Sequence, residues 1–249
     1  MKRNKIDFIY KYRKIDSNLY RTLVLSEIYF APPTSFNDPF DSNIVPIPTV
    51  TRGDVEDYCS KIFPNLVGQK FQDTVDETLK RAPQIISKSF RTDLSEMRKR
   101  LSICCFSQIH NSSLMFSHYA DGHRGVCLEF KVSQHDFYDS INPVQYPQDY
   151  PSLPFFRHVP WAAIEAQFLN KQREWAYEKE WRIIRVDEPV GFIKFPPDFL
   201  TSIIFGLETS DSDIEVIREI IKFRNPKINL FKCTKVDGDF DLHVTPIKA

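Results

Sequence analysis

The sequence predicts a single α+β domain on a mixed sheet, and three observations lead there. Apolar and polar residues alternate at period two in short runs, clearest in Leu101–Ser107 and in Val126-Cys127-Leu128-Glu129-Phe130-Lys131-Val132. Between such runs lie stretches with apolar residues three and four apart, so single strands and helices interleave. Hydrophobic residues make up 42% of the 249, with 21 Phe and 10 Tyr, enough to close a core.

The elements follow in order. Phe8 to Arg13 mixes aromatic and cationic side chains in a β-prone run. Ser17 to Glu27 reads as a helix capped by Ser17 or Asn18, with an apolar stripe through Leu19, Leu23, Leu25 and Ile28. Ile28 to Ala31 is a second strand, ended by Pro32-Pro33 because proline cannot donate to a ladder. Ser35 through Asp41 reads as an ordered turn in which Asn37 and Asp38 bond to local backbone.

From Gly53 to Arg100 the composition turns charged and helical, with helices expected at Asp54–Phe63, Gln69–Arg81 and Ile85–Arg100. Charge spread around them marks a solvated helical insertion, about residues 52–100, within a domain spanning 1–249. Leu101 to Ser107 is a strand with Leu101, Ile103, Cys105 and Ser107 on one face. Asn111 or Ser112 caps a helix through Asp121, and Gly122 supplies a left-handed stop. Gly125 to Val132 is a strand buried on one face. A proline-rich connection from Asn142 to Pro160, a helix from Ala162 to Trp175 and a strand from Glu178 to Val186 come next. Ile203–Phe205, Ile214–Phe223 and Ile228–Phe231 add strand, helix and strand.

Composition narrows the function. Lys plus Arg (33) balance Asp plus Glu (33), which removes the general phosphate attraction of a strongly basic nucleic-acid binder. With seven glycines, of which only Gly122 and Gly125 lie close together, the sequence has neither a dinucleotide fingerprint nor a Walker loop, so side chains and isolated backbone groups must hold any nucleotide. Five cysteines without a CxxC pair read as buried free thiols rather than a zinc site or disulfide framework. The charged start, Met1 to Tyr10, is unlike a signal peptide, and no segment is long enough to span a bilayer. The expected location is therefore the cytoplasm, with no membrane partner.

Polar side chains beyond the needs of packing gather at Tyr10-Lys11-Tyr12-Arg13, at Ser107 through Gly125, and at Trp175 through Arg182. Strand alternation would put Glu178, Glu180 and Arg182 on one face. Neighbouring carboxylates repel unless water, a cation or a substrate hydroxyl lies between them, so the pair marks a candidate site. The competing reading is an exposed strand edge on which Glu178 and Glu180 pair with Arg182 or Lys179.

These same runs, with Phe36-Asn37-Asp38-Pro39-Phe40-Asp41, Cys105-Phe106-Ser107, Met115-Phe116-Ser117-His118-Tyr119-Ala120-Asp121-Gly122-His123-Arg124-Gly125 and Lys171…Trp175…Glu178-Lys179-Glu180-Trp181-Arg182, resemble the bacterial domain-of-unknown-function family 2971. The resemblance runs from residue 10 to about Phe205-Gly206 and implies a bacterial, cytoplasmic, single-domain protein without an established activity. A second resemblance is to ADP-ribosyltransferases, through Arg13, Phe106-Ser107 and Glu178-x-Glu180. It departs from that pattern in having one Ser where a Ser-Thr-Ser run is usual.

This second resemblance implies a transferase or glycohydrolase that takes NAD as substrate. Glu180 would stabilise the sugar cation and accept from a ribose hydroxyl, and Glu178 would orient or deprotonate the acceptor. Ser107 would hold the first strand and the ribose, Arg13 would bind the pyrophosphate, and Tyr10 or Tyr119 would stack on nicotinamide, with His118 beside them. The acceptor, protein or nucleic acid, is left open. Two alternatives stand beside it. One is a metal-dependent nuclease or phosphoesterase using His118, His123, Asp38, Asp41 and Glu129. The other is a non-catalytic ligand sensor. Asp38 in a structural turn, and His118 with His123 as a hydrogen-bonded pair, are the plainer readings of those residues.

Overall fold

A computed structural model describes residues 6–132, 141–154, 160–238 and 241–248. The chain is α+β. Its contacts divide it into two compact units: Met1–Ala31, Ser102–Pro143 and Tyr177–Ala249 form the first, and Pro32–Leu101 with Val144–Ala176 the second. Among the described residues no helix is long and apolar enough to cross a membrane.

The first unit is built on strands β1 (Phe8–Arg13), β4 (Leu101–Ser107), β5 (Val126–Lys131), β6 (Ile141–Pro143), β8 (Glu180–Val186), β10 (Leu200–Phe205), β11 (Asn229–Lys235) and β12 (Leu242–Pro246). They form one sheet in the order β12-β11-β10-β5-β1-β4-β8-β6. β10 and β11 run parallel, joined through helix α6 (Asp211–Arg224), as a parallel pair requires a crossover. β2 (Glu27–Phe30) pairs separately with β9 (Gly191–Lys194).

Each face of the sheet is buried against helices. Ile9, Phe106, Leu128, Phe130, Ile183 and Ile203 point to one side and pack with Leu19 and Leu23 of α1 (Ser17–Leu25) and with Ile214, Ile217 and Ile221 of α6. Tyr10, Tyr12, Cys127 and Ile204 point to the other and pack with Met115 and Phe116 of α4 (Ser113–Tyr119). The cap of α1 is Asp16, whose carboxylate accepts from the Leu19 N–H at 2.9 Å, rather than Ser17 or Asn18. Ser112 caps α4 as expected, accepting from the Met115 N–H. After α4, Asp121, Gly122 and His123 are all left-handed, so the stop extends over three residues. The turn continues into a close approach: a Cβ on Gly206 would sit 2.1 Å from the His123 carbonyl oxygen, so glycine is required there.

In the second unit α2 (Arg52–Ile62) and α3 (Gln69–Arg100) account for the expected helical stretch. The two helices expected at Gln69–Arg81 and Ile85–Arg100 are one, with Pro83 inside it. Short parallel strands β3 (Ile47–Thr49) and β7 (Ser152–Pro154) belong to this unit, and α5 (Pro160–Phe168) occupies the first half of the expected Ala162–Trp175 helix. Of the proline-rich connection, residues 155–159 lie outside the described residues.

Candidate functional site

The strand order makes β5, β1, β4 and β8 consecutive, so segments far apart in sequence become neighbours. Tyr10 pairs with Ser107 on one side and with Glu129 on the other, and Ser202 pairs with Glu129. Residues directly opposite in a ladder share a face. Ser202, Glu129, Tyr10 and Ser107 are therefore a row of polar side chains across four strands.

A β-bulge sharpens this row. Between Leu200 and Ser202 the register shifts, so Thr201 and Ser202 both stand against Glu129. Each hydroxyl donates to Glu129 Oε1 at 2.7 Å, and Tyr10 donates its hydroxyl to Oε2 at 3.2 Å. Burial first, and Glu129 second, push the Tyr10 phenol well above its ordinary range. The His110 ring lies 5.2 Å from that of Tyr10, and burial lowers its affinity for a proton.

At the other end of the row Ser107, 1% exposed, donates to the Glu178 carbonyl at 2.6 Å and accepts from the Ile109 N–H at 3.0 Å. Its hydroxyl ties the end of β4 to the turn before β8. Glu178 ends a 3-10 turn, Arg173–Glu178, and Lys179 is left-handed, so Glu178 is not on the strand and the alternation expected from 178 onward begins only at Glu180. The Glu178 carboxylate, 3% exposed, accepts from the Tyr119 hydroxyl at 2.6 Å. His118 is exposed on α4, its ring 6.2 Å from Tyr119 and 6.3 Å from Tyr177, so three rings gather beside Glu178.

Glu180 and Arg182 do share a face, but as a buried pair and not an exposed edge. Arg182 is fully buried and grips Glu180 with two bonds, Nε to Oε1 at 2.8 Å and Nη2 to Oε2 at 2.9 Å. Since Trp181 and Ile183 belong to the core against α1 and α6, this pair faces the side of Tyr10 and Ser107. Burial raises the neighbouring Cys105 thiol, and Glu180 raises it further. All five cysteines are free, and the Cys233 thiol is pushed up to about 12 by burial.

Arg13 is not in this row. It lies three residues after Tyr10 on a strand whose side chains alternate, which turns it to the opposite face with Ile9 and Lys11. There it stands 3.7 Å from Asp16 and lines, with Asn18, Thr22 and Tyr29, a crevice too tight for water. The expectation that Arg13, Ser107 and Glu180 line one cleft is thus corrected: two of the three share a face.

The residues expected as a metal set have other partners. His123 Nε2 meets the Ser117 hydroxyl at 3.1 Å and the ring stacks on Phe116, a structural role without His118. Asp38 accepts from the Phe40 N–H at 2.9 Å, the local turn read from the sequence. Asp41 faces Lys171 at 3.4 Å, both 3% exposed. Among the described residues no group of three or more His, Cys, Asp and Glu side chains comes together to hold a metal ion.

Sequence reasoning missed Thr201, Ser202 and His110. Two consecutive polar residues inside Leu200-Thr201-Ser202-Ile203-Ile204-Phe205 are the signal for the bulge, since an unbroken strand would alternate.

Residues 115–183 match a family described as protein of unknown function (DUF2971), which bears out the resemblance over that segment, from α4 into β8. No curated protein and no solved structure matches the chain.

Proposed function

We propose that the chain cleaves the N-glycosidic bond of a ribosyl nucleotide such as NAD and passes the ADP-ribosyl group to an acceptor or to water. The observation that carries this reading is the pair of buried carboxylates two residues apart, Glu178 held by the Tyr119 hydroxyl and Glu180 held by Arg182. As the bond between ribose C1′ and the nicotinamide nitrogen breaks, its electron pair leaves with the nitrogen and cancels the pyridinium charge. Positive charge then builds on C1′, where a fixed carboxylate stabilises it.

Glu180 takes that role. Arg182 is a positioning residue. Glu178 accepts the proton of the attacking acceptor or water, with Tyr119 setting its direction. Tyr119 and His118 offer flat surfaces for the nicotinamide or base. Ser107 supports the arrangement through backbone, and Arg13 takes no part.

The test is nicotinamide release from NAD by purified protein, followed chromatographically. Glu180→Gln is expected to lower the rate at least a hundredfold, the scale of removing one stabilising group, while Arg13→Gln leaves it unchanged. Wild-type protein that releases no nicotinamide with or without acceptors overturns the reading.

One observation favours a second reading, a non-catalytic nucleotide sensor: Glu129 already accepts three hydroxyls, from Tyr10, Thr201 and Ser202. That reading expects NAD to raise the melting temperature with no nicotinamide formed.

A further inference from the structure

In the second unit a groove of about 370 Å³ lies along α3, lined by Thr34, Asn43, Arg91, Ser95, Arg98 and Lys99. The volume falls in the range of small-ligand sites. Arg91, Ser95 and Arg98 are three to four residues apart, so one helical face presents two guanidinium groups and a hydroxyl.

What matters is how these cations are partnered. Lys99 is neutralised by Glu96 at 2.7 Å. Arg98 is not: its Nη1 donates to the Asn43 side-chain oxygen at 2.9 Å, and Asn43 in turn donates its amide N–H to the Pro39 carbonyl at 3.1 Å. That second bond fixes which end of the amide faces Arg98. A neutral acceptor thus holds the guanidinium in place and leaves its charge standing. The Arg98 Nε is buried without a hydrogen-bond partner, so nothing cancels the charge from that side either. Arg91 is exposed and has no ion pair among the described residues.

The helix dipole explains part of this clustering, because cations are favoured near a helix C-terminus and α3 ends at Arg100. It does not explain Arg91, more than two turns upstream, nor the anchoring of Arg98 by a neutral side chain.

We propose that this groove binds a phosphorylated small molecule. Two fixed or fixable guanidinium forks suit the several oxygens of a phosphate, and the Thr34 and Ser95 hydroxyls add donors that a carboxylate ligand would not need. A small ligand is favoured over a nucleic acid because the chain's formal net charge is zero, which gives no long-range pull on a polyanion. The proposal uses none of the residues of the glycosidic reading and stands without it.

Equilibrium dialysis of the full chain against ADP and against inorganic pyrophosphate tests it. Saturable binding at one site is expected, weakened at least tenfold by Arg91→Gln and by Arg98→Gln, weakened by added salt, and unchanged by Arg13→Gln. Arg91 is exposed, so R91Q reports on the site even if R98Q lowers the melting temperature. No saturable binding of either probe overturns the proposal, as does equal affinity in wild type and both variants. Affinity that grows with the length of single-stranded RNA while ADP does not bind overturns it too, in favour of a nucleic-acid surface.

Discussion

Arg182 concentrates the residue-scale physics of the first unit. It is fully buried, and Glu180 meets its charge with two bonds. Arg182→Ala would leave the buried Glu180 carboxylate without these two bonds, with an expected loss of about 3–5 kcal/mol. Replacing both members, Glu180→Gln with Arg182→Met, removes the stranded charge and is expected to lose less than the single change. Urea unfolding of the three proteins checks this, and a double variant no more stable than R182A would show that pairing is not what holds this region. The same pair separates structure from chemistry: a milder stability loss in E180Q with abolished nicotinamide release would be the mark of a working carboxylate.

At the scale of elements, α3 shows burial overriding local preference. Pro83 lacks the N–H that would bond the Leu79 carbonyl and marks a break in the sequence, yet the helix runs on. Each half is anchored by its own apolar contacts, Val75 with Val55 and Cys59 of α2, and Ala82, Ile86 and Phe90 with Leu153 of β7. Because Pro83 is exposed, Pro83→Ala is expected to stabilise the unit by about 1–3 kcal/mol, seen as a higher urea midpoint. A lower midpoint would mean that the proline itself favours the packing of this helix. The same competition decides what could be read in advance. β4, β5 and the Ser112 cap were legible because alternation and capping are local. The merging of two helices was not, since it depends on a partner strand some seventy residues away. Neither was the left-handed Lys179, a non-glycine residue whose conformation carries no sequence mark. Of the site, the adjacency of the strands carrying Tyr10, Ser107 and Glu180 matched expectation. The face of Arg13 did not, although counting three residues from Tyr10 along a strand already places it opposite.

For the whole molecule these local terms combine in the dependence of stability on pH. His110 and His123 both have their pKa lowered in the folded state, each chiefly by burial, with Glu129 opposing the shift at His110 and Glu208 opposing it at His123, where Lys235 adds to it. A folded pKa below the unfolded value of about 6.5 means that the unfolded chain binds more protons in between. Stability is then fully present above about pH 6.5 and is lost as pH falls through the lowered folded values. One carboxylate acts in a separate window. Asp121, held down by its hydrogen bond to Arg124, contributes above its ordinary value of 3.8 and loses that contribution only in stronger acid. The urea midpoint is therefore expected to fall from about pH 7 to about pH 5, above the range in which Asp121 titrates, and to fall less in a protein carrying both His110→Asn and His123→Asn. An undiminished slope in that double variant would trace the acid sensitivity to other groups and leave burial of these two imidazoles without thermodynamic consequence.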